Sequence, residues 1–185
     1  MTPAAPDPAP DLESRLRILE DHERIRSLKA LYCHYCNTGW DGAGSDPDAA
    51  ADLFTDDAVY DTPMTGALQG KVAIRQMMRD FGLRFAMAVH LATTPRIRVE
   101  GDTAEATWQG LNALLTPAGQ ALWSGGSYEE QYVRTAAGWR FGRIRRRSAF
   151  LAPYDRGWGE VRDVARQVRD DITRPVPGDR DGDLT

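Results

Sequence analysis

The spacing of apolar residues changes once along this chain, and that change limits what it can fold into. Up to position 81 the spacing is helical. Ile25, Leu28, Tyr32 and Tyr35 recur at intervals of three and four, flanked by Leu31 and Cys36, which is the stripe of an amphipathic helix. This first helix is expected over 12–38, with Asp21, Glu23, Arg24 and Lys29 mostly on its other side. Gly39 and the segment 41–48 end it. Shorter helices are expected over 48–54 and 71–81, separated by a strand over 58–62 and a loop marked by Gly66 and Gly70. From 87 onward the pattern is extended. Segments 87–90, 96–99, 104–115, 121–134 and 138–150 read as strands, the last two joined across a turn at 136–138 as a hairpin. Helices first and a meander of long strands afterwards is the order of an α+β domain. A last amphipathic stretch over 161–172, with Val164, Val168 and Ile172, is expected as an outer helix.

At 185 residues, 42% hydrophobic and 27% charged, the chain fits one globular domain, expected over 12–172. Residues 1–11 hold four prolines and neither a basic nor an apolar region, so they read as a disordered leader, and 173–185 as a tail. A net charge of −4 gives no footprint for nucleic acid, and the run Arg143, Arg145, Arg146, Arg147 reads as solvated or carboxylate-paired. No stretch approaches the ~20 apolar residues of a membrane span. The expected location is cytoplasmic, with neither nucleic acid nor membrane as partner. Cys33 and Cys36 form a C-x-x-C pair. It lies deep inside a helical pattern rather than at a helix start, where a thiol pKa is lowered, and reads as two small buried residues.

A sheet curled around helices leaves a cavity between the layers, and polar side chains aimed into it need a partner or a ligand. His90 sits in the apolar stretch AMAVHLATTP, where an imidazole suits general acid–base work; it reads equally well as a satisfied structural histidine. Tyr32 and Tyr35 share the buried stripe of the first helix, either as core or as phenols bonded to a ligand. Asp61 follows Val59 at the strand period: if Val59 faces the core, Asp61 faces the cavity and is placed to pair with His90. The alternative is a turn aspartate before Thr62 and Pro63. Trp108, Gly110, Asn112 and Leu114 share one face of their strand, as do Tyr128, Glu130 and Tyr132 of theirs. Asn112 and Tyr128 would offer hydrogen bonds, and Trp108 and Tyr132 apolar walls. The sequence holds no G-x-S-x-G, Walker loop, G-x-G-x-x-G or H-E-x-x-H. Three dispersed histidines and two helical cysteines do not compose a transition-metal site. The chemistry expected is acid–base, with no cofactor and no metal.

The blocks IRSLKALYCHYCNTGWDGAG, ADLFTDDAVYDTP, GKVAIRQMM, AVHLATTPRIRVEGDTAEATW and SYEEQYVRTAAGWRFGRIR, in this order over about 12–150, resemble a SnoaL-like domain. That is a branch of the nuclear transport factor two-like superfamily, and the chain looks nearest to scytalone dehydratase and bile acid 7α-dehydratase-type enzymes. The resemblance implies a cone-shaped α+β barrel, with N-terminal helices packed in the concavity of a curved mixed, mostly antiparallel sheet. It also implies assembly as a homodimer or homotrimer. Those relatives use a pocket histidine as base, held by an aspartate, with tyrosines polarising a carbonyl. By position, Tyr32 matches a catalytic tyrosine and His90 the histidine, while the supporting aspartate of the first helix aligns with Asn37. Asp61 falls roughly where scytalone dehydratase has a pocket tyrosine, a place from which it would replace the missing carboxylate.

The activity implied is a cofactor-independent lyase, isomerase or cyclase acting on a small apolar polycyclic or polyketide-like metabolite in secondary metabolism. His90, Tyr32 and Asp61 would be catalytic, with Tyr35, Asn37, Trp108, Asn112 and Tyr128 binding substrate. The alternative is a non-catalytic ligand-binding or accessory subunit of the same fold, and the Asn37 departure favours it slightly.

Overall fold

A computed structural model describes residues 11–40 and 44–164 of the chain. In chain order these form α1 (Leu12–Cys36), α2 (Pro47–Asp52), β1 (Phe54–Thr62), β2 (Gly66–Gln69), α3 (Lys71–Arg84), β3 (Met87–Glu100), β4 (Thr103–Leu115), β5 (Ala121–Thr135), β6 (Gly138–Pro153) and α4 (Gly157–Glu160). The strands make one curved, open sheet in the order β2-β1-β6-β5-β4-β3, antiparallel except for the β1–β6 pair. This is the α+β class, and the mixed, mostly antiparallel sheet, that the sequence leads one to expect.

Asp11 starts α1 by accepting the Ser14 backbone N–H at 2.8 Å, which satisfies one donor of the open first turn. The stripe Ile25, Leu28 and Tyr32 then packs against Trp108, Tyr128, Tyr132, Trp139 and Phe141 of the sheet. Burial of each such apolar side chain contributes about 1.5–3 kcal/mol, which seats α1 in the concavity. Just beyond the helix the chain passes through a place only glycine can occupy. Gly39 has φ +62°, and a Cβ there would stand 2.1 Å from the Ala86 carbonyl oxygen. That close approach lets Thr38 and Ala88 exchange backbone hydrogen bonds of 3.0 and 2.9 Å. The end of α1 is thereby fixed to β3, two residues from His90.

Several expectations are corrected. Asp21 and Lys29, expected mostly on the solvent side of α1, are buried, because the sheet supplies each with a charged partner: Arg134 at 2.7 Å and Glu130 at 2.5 Å. The loop marked by Gly66 and Gly70 is the edge strand β2, paired antiparallel with Val59–Thr62; its mostly exposed residues carry no apolar period. Segments 87–90 and 96–99 are one strand, β3. The register shifts between Thr93 and Arg96, where Thr94 has φ +47°. This bulge changes which residues face inward, so Ala92 before it and Ile97 and Val99 after it all pack on the core.

The expected outer helix over 161–172 is not helical where it is described. Val161 and Val164 lie along the end of β6 instead, the Leu151 N–H donating to the Arg162 carbonyl at 3.0 Å and its carbonyl accepting from Val164 at 2.8 Å. Positions 165–172 lie outside the described residues, as do 1–10 of the expected leader and the whole 173–185 tail. Among the described residues, no helix is long and apolar enough to cross a membrane.

Candidate active site

The sheet register arranges polar side chains in rows. His90, Asn112 and Ser124 are direct neighbours on β3, β4 and β5, and Trp108, Tyr128 and Arg146 on β4, β5 and β6. Between the two rows Gly110 faces Gly126. A Cβ on Gly110 would fall 2.5 Å from the Tyr128 ring, so the glycine makes room for that ring. Two adjoining hollows lie between these rows and the helices, of about 60 and about 30 Å³. Tyr32, Tyr60, Met77, Phe81 and His90 border both; Asn112, Ser124, Tyr128, Arg84 and Arg146 line the larger, and Tyr35 and Cys36 the smaller. The larger one has room for a few waters and is smaller than the roughly 150 Å³ cavity that takes up one benzene ring.

The geometry of His90 fixes its tautomer. Asn37 caps the C-terminus of α1, and its Oδ1 accepts the His90 backbone N–H at 2.8 Å and faces His90 Nδ1 at 3.2 Å. A backbone N–H only donates, so the Asn37 atom is the carbonyl oxygen, and the Nδ1 that faces it carries the ring proton. Nε2 is then the lone-pair nitrogen. Burial, aided by the positive charges of Arg146 and Lys29, pushes the imidazole down to about 3, so it is neutral near pH 7. Asn37 orients the ring as a carboxylate would, without offsetting the charge of an imidazolium.

Tyr32 and Tyr60 share an O–H···O bond of 3.0 Å. Burial raises both phenols above their ordinary value, so both stay protonated; one proton serves the pair and the other is available to a ligand oxygen. Burial also raises Cys33 and pushes Cys36 up to about 12, which makes these half-buried free thiols poor nucleophiles. Among the described residues, no group of His, Cys, Asp and Glu is placed to hold a metal ion.

A second polar system, buried in the core, touches the Tyr32 and Tyr128 rings. Lys29 Nζ stands 2.5 Å from Glu130 Oε1, 3.7 Å from the Tyr128 ring centre and 4.6 Å from that of Tyr32. Tyr132 O–H donates to Glu130, and Trp108 Nε1–H donates to the Tyr132 oxygen at 3.2 Å. Burial alone would lower the lysine; the Glu130 carboxylate outweighs it and holds the ammonium above its ordinary value.

Of the residues singled out from sequence, His90, Tyr32, Tyr35, Asn112 and Tyr128 come together around the hollows, with Asn37 behind His90. Asp61 and Trp108 do not. In β1 the inward residues are Ala58, Tyr60 and Thr62, so Val59 and Asp61 share the other face, where Asp61 meets Arg145 at 3.4 Å. It neither reaches His90 nor replaces the absent carboxylate. Trp108 is bonded into the system around Lys29 rather than forming a cavity wall. Sequence reasoning missed Tyr60, Ser124 and Arg146. Tyr60 could have been found by letting the larger side chain of the Val59–Tyr60 pair set the inward face. Arg146 is hidden by a register shift near Gly142. Trp139 and Phe141 are buried before it and Ile144 after it, so counting by twos from Phe141 points Arg145 inward, whereas Arg146 lines the hollow.

The curved sheet, the helix in its concavity and a tautomer-fixed histidine between them define a small-pocket α+β protein. The chain belongs to the SnoaL-like domain family, which matches residues 17–145. A protein of Mycobacterium tuberculosis without assigned function is 31% identical over 91 residues, covering 48% of this chain; the chain spans 62% of the length of that relative. Two solved structures from Novosphingobium aromaticivorans share the fold. One, provisionally named an aromatic ring hydroxylase, is 27% identical with a TM-score of 0.66, over 73% of this chain and 94% of that one. The other, provisionally named a scytalone dehydratase, is 18% identical with a TM-score of 0.65, over 74% and 89%.

Proposed function

We propose that this protein is a cofactor-independent lyase of the dehydratase type, or an isomerase or cyclase using the same proton transfers, acting on a small, largely apolar metabolite beside a carbonyl group. One observation carries the reading: both the backbone N–H and Nδ1 of His90 are directed at Asn37 Oδ1, which leaves Nε2 as an unprotonated base beside the hollow. His90 takes the proton next to the carbonyl, while the free phenolic proton of the Tyr32–Tyr60 pair holds the enolate oxygen. The resulting imidazolium returns its proton to the leaving hydroxyl in an elimination, or to a second carbon in an isomerisation. A hollow of about 60 Å³ is smaller than the roughly 150 Å³ that takes up one benzene ring, so even a single-ring substrate requires Met77 and Phe81 to move. The likeness to the dehydratase-named structure supports the fold such chemistry uses.

The test is hydrogen exchange and elimination from a panel of cyclic β-hydroxy ketones in D₂O, followed by NMR without added cofactor. Wild type exchanges or eliminates, and a folded His90→Gln protein loses at least about 10²-fold. Undiminished turnover in His90→Gln removes the reading. A second reading, a non-catalytic ligand-binding or accessory subunit of the same fold, is favoured by the neutral Asn37 partner and the depressed basicity of His90. It predicts ligand binding with no exchange in either protein. The protein is further proposed to act as a homodimer or homotrimer.

A further inference from the structure

The larger hollow carries polar groups that the proton-transfer reading does not use. Arg146 is half-buried. It donates an Nη2–H to Ser124 Oγ and lies 5.9 Å from the Tyr128 ring centre. Its neighbours in the basic run are satisfied on the other face, Arg145 by Asp61 and Arg147 by Glu129. Neither Arg146 nor Arg84, which lines the same hollow from the last turn of α3, is paired with a carboxylate among the described residues. Beside them Asn112 is 4% exposed, and its Oδ1 is buried without a hydrogen-bond partner. A guanidinium offers five N–H donors, and a buried acceptor left unbonded costs about 1–3 kcal/mol. Among the described residues, then, Arg146 lacks an anion and Asn112 lacks a donor.

We infer that the substrate of this site is a small hydroxy carboxylic acid, its carboxylate held by Arg146 with Arg84 at the rim and its hydroxyl donated to Asn112 Oδ1. The inference rests on the proposed proton-transfer reading for what happens to that substrate, but not for its binding. A planar carboxylate matches the guanidinium fork, and its ring is admitted when Met77 and Phe81, which border the hollow, move aside. The hydroxyl lies on the same β3–β4 row as His90, since His90 and Asn112 are register partners. The anion accordingly anchors the molecule so that the bonds to be broken lie beside the base.

The experiment is calorimetric binding of salicylate and of its neutral isostere salicylamide to the full chain. Salicylate is expected to bind at least about tenfold tighter, the equivalent of one charge-assisted hydrogen bond. The preference collapses in Arg146→Gln, is reduced in Arg84→Gln and persists in Arg145→Gln, which removes an equal charge from the other face. Equal binding of the two probes by wild type, no binding of salicylate, or a preference that survives Arg146→Gln overturns the inference. The wild-type comparison decides even where a variant fails to fold. His90→Gln keeps the salicylate preference if the anion site stands, so a failure of the base role, seen as retained turnover in that variant, is read separately.

Discussion

Two buried polar systems meet at the Tyr32 and Tyr128 rings, and they are built to different rules. On the core side, Lys29, Glu130, Tyr132 and Trp108 form a closed chain in which each group has a partner. On the hollow side, among the described residues, Asn112 Oδ1 has none, Arg146 has no carboxylate, and His90 is bonded through one ring nitrogen only. A closed network serves the fold, since a buried charge is tolerated only when paired. An open one costs the fold stability and is complete only with something bound.

Substitutions can break that contrast. Lys29→Met strands Glu130 in the core and is expected to destabilise by about 3–5 kcal/mol, measured by denaturant unfolding; replacing Glu130 by Leu as well should recover most of the loss. A stable Lys29→Met protein would place Lys29 among the functional groups instead. Asp21 accepts two hydrogen bonds from Arg134, at 2.8 and 2.7 Å, and one from Trp139 at 3.1 Å, and Asp21→Asn should cost about 1.5–3 kcal/mol. Arg134 chiefly holds this carboxyl below its ordinary 3.8. Its stabilisation is therefore present above 3.8 and lost as pH falls below it, and Asp21→Asn should flatten that acid loss. The hollow should respond with the opposite sign. Asn112→Leu removes an unpaired acceptor and should raise stability by about 1 kcal/mol while weakening ligand binding, a gain readable as a higher Tm. A drop of similar size would mean that Asn112 is already satisfied within the fold.

The α+β order was legible because the change from a spacing of three and four to a spacing of two spans the whole chain. His90 and Tyr32 were legible too, as polar atoms in apolar surroundings. What remained hidden depends on events that leave no periodic trace. The bulge at Thr94 and the shift near Gly142 each reverse the inward parity of a strand, the second concealing Arg146 within a basic run. Lys29 stood out from no pattern because its partner, Glu130, is 101 positions away. Asp61 faces away from the hollow because β1 turns Tyr60 inward and not Val59, a choice that the alternation of the two leaves open in the sequence.

The proposed chemistry requires that the fold hold His90 as a neutral base with Nε2 open to the hollow. Two-bond ¹H–¹⁵N NMR of the imidazoles, with the His90 signal identified by its loss in His90→Gln, tests this without any substrate. The expected result is the Nδ1–H tautomer and no titration between about pH 5 and 8, because the imidazole is pushed down to about 3 from the usual ~6.5. An Nε2–H tautomer, or a midpoint near the ordinary value, would contradict it.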